Sequence, residues 1–275
     1  MTPLRLLSYL SPSIPEELFE LIAESLERRM GAPVGLEFET RVSGPAPDSD
    51  PFADGRADLA FVCAPSYPLL KQAGSPVTLL PAAPVFLDPR AEGRPVYFSD
   101  VVVRSDHRAS RFEELSDGVW SYNDAFSRSG WQNMLARLAE IGHAGPPDKF
   151  FRRLIQSGSH LRSLALVTDG QADAAAIDSN TLWLARRRDP GLPTRLRILE
   201  TWGPMPIQPV LAHAGLEADR RSRIVEVLLS LHEDPPLRPR LEATGVRRFV
   251  GVVESDYAST LPLARIAVPA TAPER

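Results

Sequence analysis

Two periods of apolar and polar residues follow one another from the amino terminus. "LRLLSYL" (4–10) is an apolar run of strand length. In "SPSIPEELFELIAESLERRMG", Leu18, Phe19, Ile22 and Leu26 fall on one helical face. Ser13 and Glu16 have capping-box separation, Pro15 suits a first helical turn, and Gly31 marks the stop. "VGLEFETRV" (34–42) alternates in part, "DPFADGRADLA" predicts a short helix, and the apolar run 58–63 predicts another strand. This β-α-β-α-β order predicts a largely parallel sheet with covering helices.

Proline-punctuated extended segments, "PVTLLPAAPVF" and "PVYFSDVVVRSD", come next, and then the pattern restarts. "GVWSYND" ends a strand, and "GWQNMLARLAEIG" sets Trp131, Met134, Leu135, Leu138 and Ile141 on one face before Gly142. "FFRRLIQSG" predicts a strand or short helix, "HLRSLALVTDG" a helix ended by Gly170, and "QADAAAIDS" a strand entering a polar turn. "EADRRSRIVEVLLSLHED" is strongly amphipathic, and the closing "VPATAPER" has the composition of a frayed end. The chain therefore divides into two α/β lobes: residues 1–97 with 210–275, and residues 98–209. Extended segments near 96–104 and 197–212 connect them, which describes a hinged clamp holding a ligand in its cleft.

Composition removes several alternatives. The 275 residues carry a net charge of −4, with 43% hydrophobic and 24% charged positions, which points neither to nucleic acid nor to an anionic membrane. Cys63 is the single cysteine, set in the apolar "DLAFVCAPSY" and read as a buried thiol, so no internal disulfide or cysteine zinc site can form. The five histidines (107, 143, 160, 213 and 232) show no ligand spacing, and no cofactor is expected. No apolar run spans a bilayer. The first residues lack the basic and apolar regions of an export signal; the expectation is either a mature chain or a cytoplasmic protein. Nothing in the sequence calls for an obligate dimer, so a monomer is expected.

The turns carry the chemistry. In "AFSRSGW", Ser127 and Ser129 precede a helix whose first N–H groups and dipole favour an anion. Arg128 can add charge, and Gly130 permits close approach of the backbone. Either serine can instead be only an N-cap. "QSGSHLRSL" places Ser157, Gly158, Ser159 and His160 at a second helix entrance, and "AAAIDSNT" puts Asp178, Ser179 and Asn180 at a strand end, where ligands gather in open sheets. Asp178 would repel a bare oxyanion; it suits a protonated one, a cationic end, or the orientation of His160. Tyr9 and Tyr67 stand at strand ends of the first lobe, facing the cleft or packing at the surface.

On "SYLSPSIPEELF", "GRADLAFVCAPSY", "FSRSGW", "SGSHLRSLALVTDGQADAAAIDS" and "FVGVVESDY", the chain resembles the phosphate, phosphite and phosphonate substrate-binding proteins of bacterial ABC transporters. The resemblance implies the type II periplasmic-binding-protein fold: α/β, with two open mixed sheets, flanking helices and two extended hinge segments. It implies that Ser127, Ser129, Gly130 and His160 grip anionic oxygens, that Asp178 faces the ligand, and that Tyr9 and Tyr67 close over it. A small phosphonate, phosphite or phosphate ligand, an ABC permease partner, a periplasmic location and no enzymatic activity follow. Arg128 departs from the family, where the middle of this turn is often small and hydroxylic.

Two other readings use the same residues. The fold also serves as an effector-binding sensor, although no helix-turn-helix or basic segment precedes residue 6. Ser129, His160 and Asp178 have the residue types of a hydrolase triad, but "SRSGW" lacks the first glycine of a nucleophile elbow.

Overall fold

A computed structural model gives the architecture for residues 2–45 and 49–260; the "VPATAPER" end lies outside these described residues. In the first lobe the chain runs through β1 (Leu4–Ser8), α1 (Glu16–Met30), β2 (Val34–Phe38), β3 (Leu59–Phe61), α2 (Ser66–Gln72), β4 (Val77–Leu79) and β5 (Ala83–Phe86). It leaves along β6 (Val96–Arg104). The second lobe adds β7 (Val119–Tyr122), α3 (Asn133–Glu140), β8 (Arg153–Gln156), α4 (His160–Thr168), β9 (Ala174–Asp178), α5 (Ser179–Arg188), α6 (Leu192–Arg195) and β10 (Leu196–Pro206). The return supplies β11 (Val210–His213), α7 (Ala218–Ser230), α8 (Arg238–Ala243) and β12 (Val246–Val250).

Two five-stranded mixed sheets result. The first has the order β2-β1-β3-β11-β4, with β1 parallel to β2 and β3, and β11 antiparallel to β3 and β4. The second has the order β10-β6-β9-β7-β8, with β7 parallel to β8 and β9 and the remaining pairs antiparallel. A separate antiparallel pair, β5 and β12, completes the first lobe. The connecting strands β6 and β10 lie side by side, from Arg104 opposite Leu196 to Val96 opposite Pro206, so the two crossings form one paired ribbon.

Continuous apolar runs make the central strands of the second sheet. Val101, Val103, Ala174 and Ala176 face Trp120, Trp131, Met134 and Phe151 on one side. Val102, Ala175 and Ile177 face Leu164, Val167, Leu182 and Leu192 on the other. Alternate residues serve opposite faces, so a strand covered on both sides has to be apolar throughout. The first lobe builds one core in which Phe19 of α1 meets Phe61 of β3 edge-on at 5.1 Å.

Four local expectations change. "DPFADGRADLA" makes turns, with Asp54 N–H bonded to the Asp50 carbonyl and Gly55 at φ 67°, and it forms no helix. The capping box is absent: α1 begins after Pro15, whose position makes no side-chain cap bond. The α3 helix is preceded by a π turn over Arg128–Gln132, in which both Trp131 N–H and Gln132 N–H reach the Ser127 carbonyl. The "SNTLWLARRR" helix α5 starts directly at the end of β9, where only a polar turn was expected.

Candidate functional site

The carboxyl ends of parallel strands from both sheets converge on one cavity of about 30 Å³. From the first lobe, Tyr9, Ser11, Ser13, Ser43 and Cys63 line it. From the second come Asn123, Asp124, Ser127, Ser129, Gly158, His160 and Asp178, with Gln208 from the returning chain. Loops follow β1, β3, β7 and β8 at these points and α5 follows β9, which is where open α/β sheets place their ligands.

Ser129 and His160 open the two neighbouring helical segments. The Ser129 hydroxyl lies 3.0 Å from His160 Nε2, so the two entrances face each other. Ser129 is held from behind, where Ser99 Oγ on β6 donates to its carbonyl at 2.9 Å. Trp131, two residues on, is buried and packs on Tyr122 with ring centroids 4.3 Å apart. Burial pushes the His160 imidazole down to about 4, only partly countered by the Ala176 carbonyl, so the ring is neutral at physiological pH. A neutral imidazole and a hydroxyl can each donate or accept here.

Asp178 is the N-cap of α5. Its Oδ1 accepts from Asn180 N–H at 2.9 Å and its Oδ2 from Gln208 Nε2 at 2.6 Å. Burial dominates these donors and pushes the carboxyl up to about 7. Asp124, just beyond the end of β7, is pushed by burial up to about 6 although Phe126 N–H and Ser43 Oγ both donate to it. Two buried carboxyls therefore sit where each can carry a proton near neutral pH.

The lobes also touch across the cavity. Ser13 Oγ accepts from His160 N–H at 3.3 Å, and the Ser13 carbonyl accepts from Thr181 Oγ1 at 3.0 Å. Ser43 Oγ donates to Asp124 Oδ1 at 3.0 Å, and Arg128 N–H reaches Cys63 Sγ at 3.4 Å. Ser13, read from sequence as a helix cap, is thus a contact between lobes.

These bonds revise the expected cradle of open backbone amides. Gly130 N–H is taken by Ser127 Oγ at 3.1 Å and Arg162 N–H by Ser159 Oγ at 3.2 Å, as in ordinary helix caps. With His160 N–H on Ser13 and Arg128 N–H on Cys63, four of the candidate donors are already engaged. The side chains of Ser129 and His160 line the cavity and meet in it.

Other candidates fall differently. Tyr9, Ser127, Ser129, His160 and Asp178 line the cavity. Tyr67 does not: α2 starts at Ser66 and turns the ring toward the carboxyl-terminal segment, where its hydroxyl donates to Glu254 Oε1 at 2.8 Å. Ser159 is a cap beside the cavity, and Arg128 is buried without lining it. Gly130 is required by Asn123, since an added Cβ would lie 2.1 Å from Asn123 Oδ1. The hydrolase triad is not assembled, because the Asp178 oxygens are bonded to Asn180 and Gln208 and not to His160. Sequence reading missed Ser13, Ser43, Asn123, Asp124 and Gln208. Only the "ND" following the β7 strand gave a local signal, as polar residues at a strand end.

Two mixed sheets joined by paired crossover strands, with polar strand ends meeting at one interlobe cavity, define a clamp for a small solute. The sequence profile of the ABC transporter phosphonate periplasmic substrate-binding proteins matches residues 4–257, and the chain belongs to that family. A binding component of an ABC phosphonate transporter from Pseudomonas aeruginosa superposes with a TM-score of 0.80 at 15% identity, covering 95% of this chain and 85% of that one. PhnD1 from Prochlorococcus marinus, solved with methylphosphonate, gives 0.79 at 17% identity, covering 96% and 97%. XAC2383 from Xanthomonas citri, bound to ATP, gives 0.70 at 21% identity, covering 96% of each chain. The expected type II periplasmic-binding-protein fold is the fold observed. No curated protein sequence matches the chain significantly.

Proposed function

We propose that this protein captures a phosphonate, phosphite or phosphate anion in the interlobe cavity and presents it to an ABC permease on the outer side of the membrane. The observation that carries this reading is the 3.0 Å approach of Ser129 Oγ to His160 Nε2 inside a cavity that both lobes line. Those groups donate to anionic oxygens without bringing a counter-charge. Asp178, when protonated, donates a further hydrogen bond; ionised, it accepts one from a monoprotonated anion. Tyr9, Ser127 and Ser13 complete the wall, while Ser159 and Gly130 shape it from outside. The bonds from Ser13 to His160 and from Ser43 to Asp124 cross the cavity between the lobes, so an anion enters by parting them. Opening and reclosing then belong to binding itself.

Titrating the full chain with methylphosphonate, phosphite and phosphate, by calorimetry and by thermal unfolding, tests the reading. A ligand that binds the native state raises the melting temperature in step with its concentration over Kd. A melting temperature indifferent to all three anions, with no heat of binding, would overturn it.

A further inference from the structure

Arg128 is 5% exposed, and its Nε and Nη1 are buried without a hydrogen-bond partner. It takes part in none of the ion pairs formed among the described residues, whereas most neighbouring buried carboxylates are already engaged. Asp124 holds Ser43, Asn123 and Phe126, and Asp178 holds Asn180 and Gln208. An arginine keeps its proton inside a protein, so a full positive charge is retained here with no partner, an arrangement that destabilises the native state. Charges kept at such a cost are characteristic of binding sites.

The position of this charge is informative. Ser127 and Ser129, on either side of Arg128 in the same π turn, both line the cavity. The Arg128 N–H donates to Cys63, another lining residue, at 3.4 Å. Cys63 and the crossover residue Tyr97, both buried, each feel the charges of both Arg128 and Asp178. Arg128 is therefore buried beside the cavity, between two serines that line it.

We propose that Arg128 recognises a second acidic group on the ligand, so that the preferred substrates are phosphonates whose organic substituent carries a carboxylate. The proposal rests on the capture of an oxyanion at Ser129 and His160. Arg128 is buried behind the two lining serines, so a ligand larger than methylphosphonate that parts this wall meets a planar guanidinium fork that matches a carboxylate bidentately. A methyl substituent leaves the charge as it is in the ligand-free protein.

The test compares phosphonoacetate with methylphosphonate by calorimetry on the full chain, in the wild type and in Arg128→Met, which keeps the length of the stem and removes the charge. The wild type is expected to bind phosphonoacetate at least tenfold more tightly. Arg128→Met is expected to lose at least tenfold more affinity for phosphonoacetate than for methylphosphonate, and its ligand-free melting temperature is expected not to fall. A wild type that prefers methylphosphonate overturns the assignment, as does a preference unchanged by the substitution. A variant that melts lower or fails to fold does so too, because Arg128 would then be a structural group. If neither ligand nor phosphate binds the wild type, the capture of an oxyanion fails first, and the role of Arg128 with it.

Discussion

The Ser129 hydroxyl and His160 Nε2 lie 3.0 Å apart, each at the start of a different helical segment, and both are almost wholly buried. Two groups this close address one anionic oxygen or two on the same atom. Ser129→Ala and His160→Asn are each expected to weaken methylphosphonate binding by about 1–3 kcal/mol, the range for a hydrogen bond to a charged acceptor. In the double variant the losses should sum to less than their total, since either substitution already spoils the shared site. Calorimetry on the four proteins measures the coupling, and strictly additive losses would place the two residues at separate sites.

Asp178 makes both stability and binding depend on pH. Its carboxyl is raised to about 7, against about 3.9 in an unfolded chain, so the folded protein binds more protons between these values. Stability from this group is full at low pH and is lost as pH rises from about 4 to about 7. Asp124, raised to about 6, acts in the same direction. His160, lowered to about 4, opposes both by adding stability as pH rises toward about 6.5. Asp178→Asn is therefore expected to be more stable than the wild type at about pH 8, by on the order of 1–4 kcal/mol, and little different near pH 4. Urea unfolding at the two pH values measures this. Phosphonate affinity of the wild type should fall as pH passes about 7, more steeply than in Asp178→Asn, where only the titration of the ligand remains. Parallel profiles would remove Asp178 from the site.

Much of this arrangement is legible in the chain because it is local. The runs of Val101–Val103 and Ala174–Ile177 are apolar at every position, since both faces of the second sheet are covered. Ser129 and His160 are readable because each sits at a helix entrance marked by its own neighbours. What escaped depends on residues distant in sequence. Ser13 has the local signature of a cap, yet its hydroxyl is used by His160, 147 positions away. Tyr67 follows a strand, but a helix begins at Ser66 and swings the ring to Glu254. Asp178 was readable as a polar strand end, whereas its partner Gln208 comes from the returning chain and has no local mark.

Gly130 yields a prediction that separates packing from ligand contact. Gly130→Ala would bring a methyl within 2.1 Å of Asn123 Oδ1 and is expected to cost about 1–3 kcal/mol of stability. Shortening the neighbour in Gly130→Ala/Asn123→Ala should recover part of that loss, even though Asn123→Ala alone gives up its bond to Asp124. Chemical denaturation of the three variants resolves the coupling. If the double variant is as unstable as the sum of the singles, the constraint on Gly130 lies elsewhere.

Tyr67 serves as the contrast to the cavity residues. Tyr67→Phe removes a bond to Glu254, a side chain that also pairs with Lys71, on a face away from the cavity. Methylphosphonate affinity should stay within about twofold, and stability should drop by about 0.5–1.5 kcal/mol. A large loss of affinity would return Tyr67 to the closing lobe.

Ser13 and Ser43 together decide how firmly the ligand-free lobes hold each other. Each contributes a hydroxyl to a bond that crosses the cavity, Ser13 to His160 N–H and Ser43 to Asp124 Oδ1. An entering anion competes for both. In Ser13→Ala/Ser43→Ala the ligand-free protein loses these crossings, worth about 1–3 kcal/mol in sum, and its equilibrium moves toward open forms. Small-angle scattering should then show a larger radius of gyration than the wild type without ligand. At saturating methylphosphonate the two proteins should coincide, because the anion itself bridges the lobes. Equal radii without ligand would show that Thr181, Cys63 and the paired crossovers hold the clamp shut unaided. A gap that persists at saturation would show instead that the two hydroxyls are needed for closure around the ligand.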